Sequence, residues 1–261
     1  MLPFFIAKKY ILLLVLCGVV AALFVFVFSS QADLSVSIVH DNLQIPKTIT
    51  GLHDPASKGR IRILVTGFEE FGGYSKNPSK ELVQYINLVK PDGFSDHLEV
   101  RGIVLPVLYN ESWNRLHDEI VRYQPDIVLS YGFNPGSNSV SLERTARNYD
   151  GGSADNNNVR HEGPIVEGEL PYYYSSLPLG DLERNLTLQG IPVRISDNAG
   201  SYVCNHLFYQ LMDYYHHDKS GSAGFIHVPD WETGGNNKSL SLMFNTTVSV
   251  IENNYYPGGT L

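Results

Sequence analysis

Outside a greasy N-terminal segment the chain holds a single cysteine, Cys204, in the stretch NAGSYVCNHLFYQLMDYY. On a helix beginning near Ser201, positions 204, 207, 208, 211 and 215 carry Cys, Leu, Phe, Leu and Tyr. That apolar stripe suits a core-facing cysteine. The same placement puts the thiol in the first helical turn, where free backbone N–H groups and the helix dipole favour a thiolate and can donate to a developing oxyanion. Local sequence leaves both readings open. A thiol nucleophile needs a base, and His227 is best placed for it, at the end of the predicted strand GFIHV with Pro229 stopping the strand beyond. An ordinary polar residue at a sheet rim is the alternative. Glu143, in LERTARN, could accept a hydrogen bond from the imidazole and so orient it. Its competing use is a salt bridge with Arg144 or Arg147. His206 is expected on the far side of the helix from Cys204, and His216 and His217, in a polar HHDK turn, are expected to face water.

These groups meet only if the right elements carry them. RIRILVT, Arg60 to Thr66, is β-branched and apolar, and the GFEEFGG loop follows it. NPSKELVQYINLV opens with Asn77 as a cap and Pro78 at the first helical position, and Leu82, Val83, Ile86 and Val89 recur at helical spacing. EVRGIVLPV then reads as a strand, SWNRLHDEIVRY as a helix and DIVLSYG as a buried strand, with SLERTARN as a further short strand. Tyr149 to Glu169 is a polar, Gly- and Asn-rich long loop. A helix near Leu182 to Leu188, the strand VRIS, the Cys204 helix and GFIHV complete the pattern. The last segment, KSLSLMFNTTVSVIENNY, fits helix and strand alike. Such alternation predicts an α/β fold with a mostly parallel sheet covered on both faces. Chemistry in such sheets gathers at the carboxyl ends of the strands. The GFEEFGG loop, the end of DIVLSYG, the start of the Cys204 helix and the end of GFIHV are therefore expected together.

The totals narrow the function. The chain has 261 residues, 43% of them hydrophobic, with a net charge of -8. Its acidic pI near 5.5 and lack of clustered Lys and Arg exclude a nucleic-acid partner. No HExxH or paired CxxC occurs, so neither a metal nor another cofactor is expected. After Lys8 and Lys9 the uncharged run Tyr10 to Phe28 is long enough to span a bilayer. It predicts an N-terminal transmembrane helix in a signal-anchor segment, residues 1–30, a linker or stalk over 31–59, and one domain over 60–261. The positive pair before the span would leave that domain extracytoplasmic on a membrane-anchored, single-pass chain. Secretion after cleavage near SSQAD is the alternative. Sequons at Asn110, Asn185, Asn237 and Asn245 would permit glycosylation on such a route. With Cys17 inside the span, Cys204 has no partner for an intrachain disulfide. The apolar pattern selects no oligomeric state.

Taken together, ILVTGFEEFGGYSKNPS, LERTARN, AGSYVCNHLFYQLMD and GFIHVP resemble the motifs of pyroglutamyl peptidase I, also called pyrrolidone carboxyl peptidase, a C15-type cysteine peptidase. They run in the family's order from Arg60 to about Pro229. The resemblance implies a three-layer α/β/α sandwich that removes N-terminal pyroglutamate from peptides. It places the nucleophile on Cys204, the base on His227 and the carboxylate on Glu143. Phe68 and Phe71 match the phenylalanines that line the family's pyrrolidone pocket, where a flat lactam can sit between aromatic faces.

Two accessories depart from the family. Members usually follow the strand matching DIVLSYG with a Gln that helps to recognise the lactam; here the run is YGFNPGSNS, with Phe133 in the Gln position and Asn134 beside it as a substitute. The Arg that the family places before a PDN-like turn is missing from YDGGSADNNN, Arg160 being the nearest downstream. Three readings follow: a pyroglutamyl peptidase, a divergent thiol hydrolase with another amide substrate, or a binding protein on the same fold.

Overall fold

The computed structural model describes residues 60–89, 95–217, 220–231 and 237–255, all within a unit spanning Thr48–Leu261. In chain order the elements are β1 (Ile61–Phe68), α1 (Pro78–Val89), β2 (Leu98–Leu105), α2 (Tyr109–Tyr123), β3 (Ile127–Phe133), β4 (Val140–Glu143), β5 (Thr145–Arg147), β6 (Asp150–Ala154), β7 (Arg160–Gly163) and β8 (Tyr172–Tyr174). They continue with α3 (Leu179–Leu188), β9 (Val193–Ser196), α4 (Val203–His217), β10 (Ser222–Val228) and α5 (Asn237–Tyr255). Six strands form the main sheet in the order β2-β1-β3-β10-β4-β9. The small ladders β5–β8 and β6–β7 lie outside it.

Strand alternation sorts the core into two halves. On one face Ile63 and Val65 of β1, Leu129 and Tyr131 of β3, and Ile226 and Val228 of β10 pack with α1, α3 and α5. On the other, Leu64 and Phe68, Val128, Ala223 and Phe225 pack with α2 and α4. A strand buried on both faces needs apolar residues throughout, which is why IVLSYGF and SAGFIHV read as continuous runs. Asn77 starts α1: its Oδ1 accepts from the Ser79 N–H at 3.0 Å, and its Nδ2 donates to the Glu69 carbonyl at 2.8 Å. The loop after β1 is thereby tied to the helix that follows it.

Three expectations need correction. The sheet is mixed, because β4 runs antiparallel to β10 while β1–β2, β1–β3, β3–β10 and β4–β9 are parallel. Residues 134–139 are too few for the crossover that a parallel return requires, about a dozen or more. SLERTARN is split at Arg144 into β4 and β5, and the long polar loop contains the β6–β7 hairpin. The ambiguous last segment is the helix α5. As for the membrane-anchored, single-pass chain with an extracytoplasmic domain, no helix among the described residues is long and apolar enough to cross a membrane. Tyr10 to Phe28 lies outside the described residues.

Candidate active site

The antiparallel strand positions the first pair. In the β10–β4 ladder Phe225 stands opposite Glu143 and His227 opposite Ser141, so Glu143 and His227 are diagonal neighbours on one face, within reach of a long side chain. The imidazole Nδ1 lies 2.8 Å from Glu143 Oε1, and both side chains are nearly excluded from solvent. That bond fixes the ring and leaves its other nitrogen open. The open side meets Cys204, whose sulfur lies against Gly132, the strand partner of His227. Burial alone would lower the His227 pKa, but hydrogen bonds and charges from Cys204 and Glu143 outweigh it and raise the value to about 9. The imidazolium is thus the favoured form at neutral pH.

Helix α4 brings the sulfur to that point. Tyr202 precedes the helix and its carbonyl accepts the His206 N–H, so Cys204 sits in the first turn with no acidic side chain beside it. The half-buried sulfur rests against the sheet at Gly132, the residue opposite His227 in the β3–β10 register. A Cβ on Gly132 would lie 3.0 Å from Sγ and 2.7 Å from the Phe225 ring, so a larger residue there would displace the thiol.

An aromatic wall runs away from the thiol. Phe71, half-buried, packs on Tyr74, Phe133 and Tyr202 with ring centroids 5.9, 6.2 and 6.2 Å away, and Tyr74 meets Phe133 edge-on at 5.3 Å. Burial raises the Tyr202 pKa, and the charges of Asp155 and Cys204 add to the effect. Phe68 lies deeper, buried against Phe225, which in turn packs on His227 at 4.9 Å. Asn134 is half-buried just past β3, with its backbone N–H on the Val228 carbonyl at 2.9 Å. Cys204, His227 and Glu143 are thus brought together, Phe71 and Phe133 are joined, and Phe68 is a core neighbour of the base.

Comparison with known proteins bears on this arrangement. The family model described as pyroglutamyl peptidase matches residues 61–252. The chain belongs to the pyroglutamyl peptidase family. A relative named pyrrolidone-carboxylate peptidase from Vibrio parahaemolyticus is 38% identical over 190 residues, 69% of this chain and 85% of that protein. Another of the same name, from Halalkalibacterium halodurans, is 37% identical over 170 residues, 64% of this chain and 83% of that one. The crystal structure of pyroglutamyl peptidase I from Bacillus amyloliquefaciens aligns with a TM-score of 0.67 at 28% identity, covering 73% of this chain and 94% of that one. Within this pyroglutamyl peptidase-family chain, β1 to α5 carry the match.

Several contacts escape the sequence reading. Arg144 pairs not with Glu143 but with Asp197, which also accepts from Thr145 and is held low, at a pKa of about 2, by the two. Glu143 is thereby left to His227. His206, expected to lie away from the site, is buried and bonded to Asp150 at 2.7 Å; nothing in residue spacing links a helix to a hairpin so far upstream. His217 does not simply face water. It lies 3.3 Å from Glu169 and 3.4 Å from Asp213, with the Tyr173 hydroxyl 3.0 Å from Glu169. The ligand atoms of Glu169, Asp213 and His217 fall within 4.8 Å of one another, as metal ligands can. The Tyr173 and His217 protons are enough to bridge the two carboxylates without a cation. Arg160 is exposed and donates to the Gly152 carbonyl at 2.7 Å within its own hairpin.

Proposed function

We propose that this chain is a cysteine-type omega-peptidase that removes N-terminal pyroglutamate from peptides, with Cys204 as nucleophile, His227 as base and acid, and Glu143 as the orienting carboxylate. The observation that carries the reading is His227, held by a buried carboxylate on one side and facing a first-turn thiol on the other. The catalytic unit is residues 60–261.

The reaction is acyl transfer. Cys204 Sγ attacks the pyroglutamyl carbonyl carbon, and N–H groups of the first turn of α4, which lack intrahelical acceptors, hold the oxyanion. The His227 proton passes to the leaving amine as its C–N bond breaks, giving a thioester. His227 then takes a proton from water, the hydroxide attacks the thioester, and C–S cleavage releases pyroglutamate and restores the thiolate. The lactam sits against the aromatic wall of Phe71 and Phe133, with Asn134 at its polar edge and Phe68 backing the wall.

A second reading, a thiol hydrolase with a different N-terminal amide, draws on one observation: Phe133, in place of a family Gln, presents a ring packed on Phe71 and Tyr74. A lost polar contact can cost about 10-fold or far more in discrimination. The test is hydrolysis of a fluorogenic pyroglutamyl amide. Turnover that vanishes in Cys204→Ala supports the first reading. No turnover, together with rapid and selective alkylation of Cys204, moves the assignment to the second. No turnover and an inert thiol leave a binding protein.

A further inference from the structure

Asp150 makes a second histidine–carboxylate pair on the stretch of chain that runs on from Glu143. Its Oδ2 lies 2.7 Å from His206 Nδ1, and both side chains are almost wholly buried, at 1% and 2% exposure. No donor or acceptor among the described residues reaches His206 Nε2 or Asp150 Oδ1. The chemistry proposed above does not use either residue. Yet a buried polar pair with half its valences unmet is costly to keep.

Its place suggests what it does. Cys204, Asn205 and His206 are consecutive residues of the first turn of α4. Asn205, fully buried, receives the Arg147 N–H at 3.0 Å and donates to the carbonyls of Arg147 and Tyr149 at 2.9 and 3.0 Å. Asp150 then takes His206. Next, the Gly151 N–H donates to the Ser201 carbonyl at 2.8 Å, an approach so close that a Cβ on Gly151 would stand 2.3 Å from Ser201 Oγ. The hairpin is held further by the Tyr109 hydroxyl on the Ser153 carbonyl and the Tyr202 hydroxyl on the Ala154 carbonyl, at 2.8 and 3.1 Å. Residues 147–151 thus grip one side of the turn whose other side presents the thiol to Gly132 and His227. A helix turn gripped on one side cannot roll about its axis, and rolling is the motion that would swing Sγ away from the imidazole.

We propose that Asp150 and His206 are positioning residues: the pair, together with Asn205, fixes the rotation of the first turn of α4 and so aims Cys204 at His227. The proposal rests on Cys204 and His227 acting together, and its test does not depend on the substrate. The rate of Cys204 alkylation by iodoacetamide is followed across pH in the full chain by peptide mapping, which separates Cys204 from Cys17. Asp150→Ala is expected to slow alkylation near neutral pH about 10-fold, move its pH profile upward, and lower kcat by a similar factor with KM little changed. Asp150→Asn, which keeps an acceptor for Nδ1–H, is expected to recover most of the loss. A pair that only supports the fold would lower the melting temperature and leave the alkylation profile alone, and that result in folded Asp150→Ala overturns the proposal. If Asp150→Ala does not fold, the double variant Asp150→Leu with His206→Phe removes both buried polar groups together. Slow alkylation in it upholds the proposal, and a wild-type profile overturns it. A failure of the pyroglutamyl assignment looks different: wild type would leave the pyroglutamyl amide uncut while the contrast in alkylation persisted.

Discussion

Two imidazoles in this molecule sit in nearly the same immediate surroundings. His227 bonds Glu143 through Nδ1 at 2.8 Å, and His206 bonds Asp150 through Nδ1 at 2.7 Å; all four side chains are buried. In each pair one carboxylate oxygen has no donor among the described residues. What separates them is the second ring nitrogen. That of His227 looks onto a thiol, while that of His206 has no hydrogen-bond partner among the described residues, its ring packing on those of Tyr109 and His161 with centroids 5.2 and 5.8 Å away. A histidine–carboxylate pair is therefore only half a catalytic device; the group on its open side decides whether it moves protons or holds backbone.

The sharpest way to break this contrast is to delete the open-side chemistry. His227→Ala removes the base and the acid together and is expected to lower kcat/KM by about 10²–10⁴-fold, the range for lost general acid–base catalysis. Glu143→Gln keeps a bonding partner for the ring but not the charge or the tautomer it selects, so its loss should be smaller than that of His227→Ala, within a range that reaches about 10⁴-fold for such a change in a triad. Steady-state assays on the pyroglutamyl amide rank the two. Activity unaffected by His227→Ala would sink the role given to it.

A titration sharpens the contrast from another side. The folded-state pKa of His227 lies above the ordinary histidine value of 6.5, at about 9. A raised pKa means that the protonated form is bound more tightly in the folded state. The associated stability is fully present below about pH 6.5 and is lost as the pH rises through 9. The same proton is the one delivered to the leaving amine, so kcat/KM should fall on a limb near pH 9. Because Cys204 supplies much of the upward shift, Cys204→Ala should bring the ring's titration, read by NMR, below that value. An unchanged titration would mean that the thiol does not face the ring.

How far the sequence anticipates this contrast follows from the range of the interactions involved. Cys204, His227 and Glu143 were legible as types in suggestive places, because a helix start, a strand end and a buried strand each leave a short local pattern. The alternation of β1, α1, β2, α2 and β3 was legible for the same reason: apolar spacing records which face is buried. The antiparallel direction of β4 was not, since strand direction is set by how the chain returns, and a four-residue strand reads alike either way. The Asp150–His206 bond joins residues 56 apart in sequence, and the aromatic wall gathers Phe71, Tyr74, Phe133 and Tyr202 from three separate stretches. Only tertiary packing writes such contacts.

The mildest test uses a third pair, Arg144 with Asp197, one residue past Glu143. Arg144 Nε donates to Asp197 Oδ1 at 2.7 Å, as direct a contact as the two histidine pairs make, but the side chains are 54% and 50% exposed. Solvent screens such charges, and exposed pairs contribute about 0.2–1 kcal/mol. Thr145 Oγ1 stays on Asp197 at 2.7 Å when the arginine is gone, so the acceptor is not stranded. Arg144→Ala should therefore lower the unfolding free energy in urea by less than about 1 kcal/mol and leave Cys204 alkylation as in wild type. If burial separates the pairs that matter from the one that does not, this variant stays mild although it lies next to Glu143 in the chain. A loss of turnover approaching that of Glu143→Gln would instead mean that Arg144 governs where the Glu143 carboxylate points, and the line between a surface pair and the working pairs would have to be redrawn.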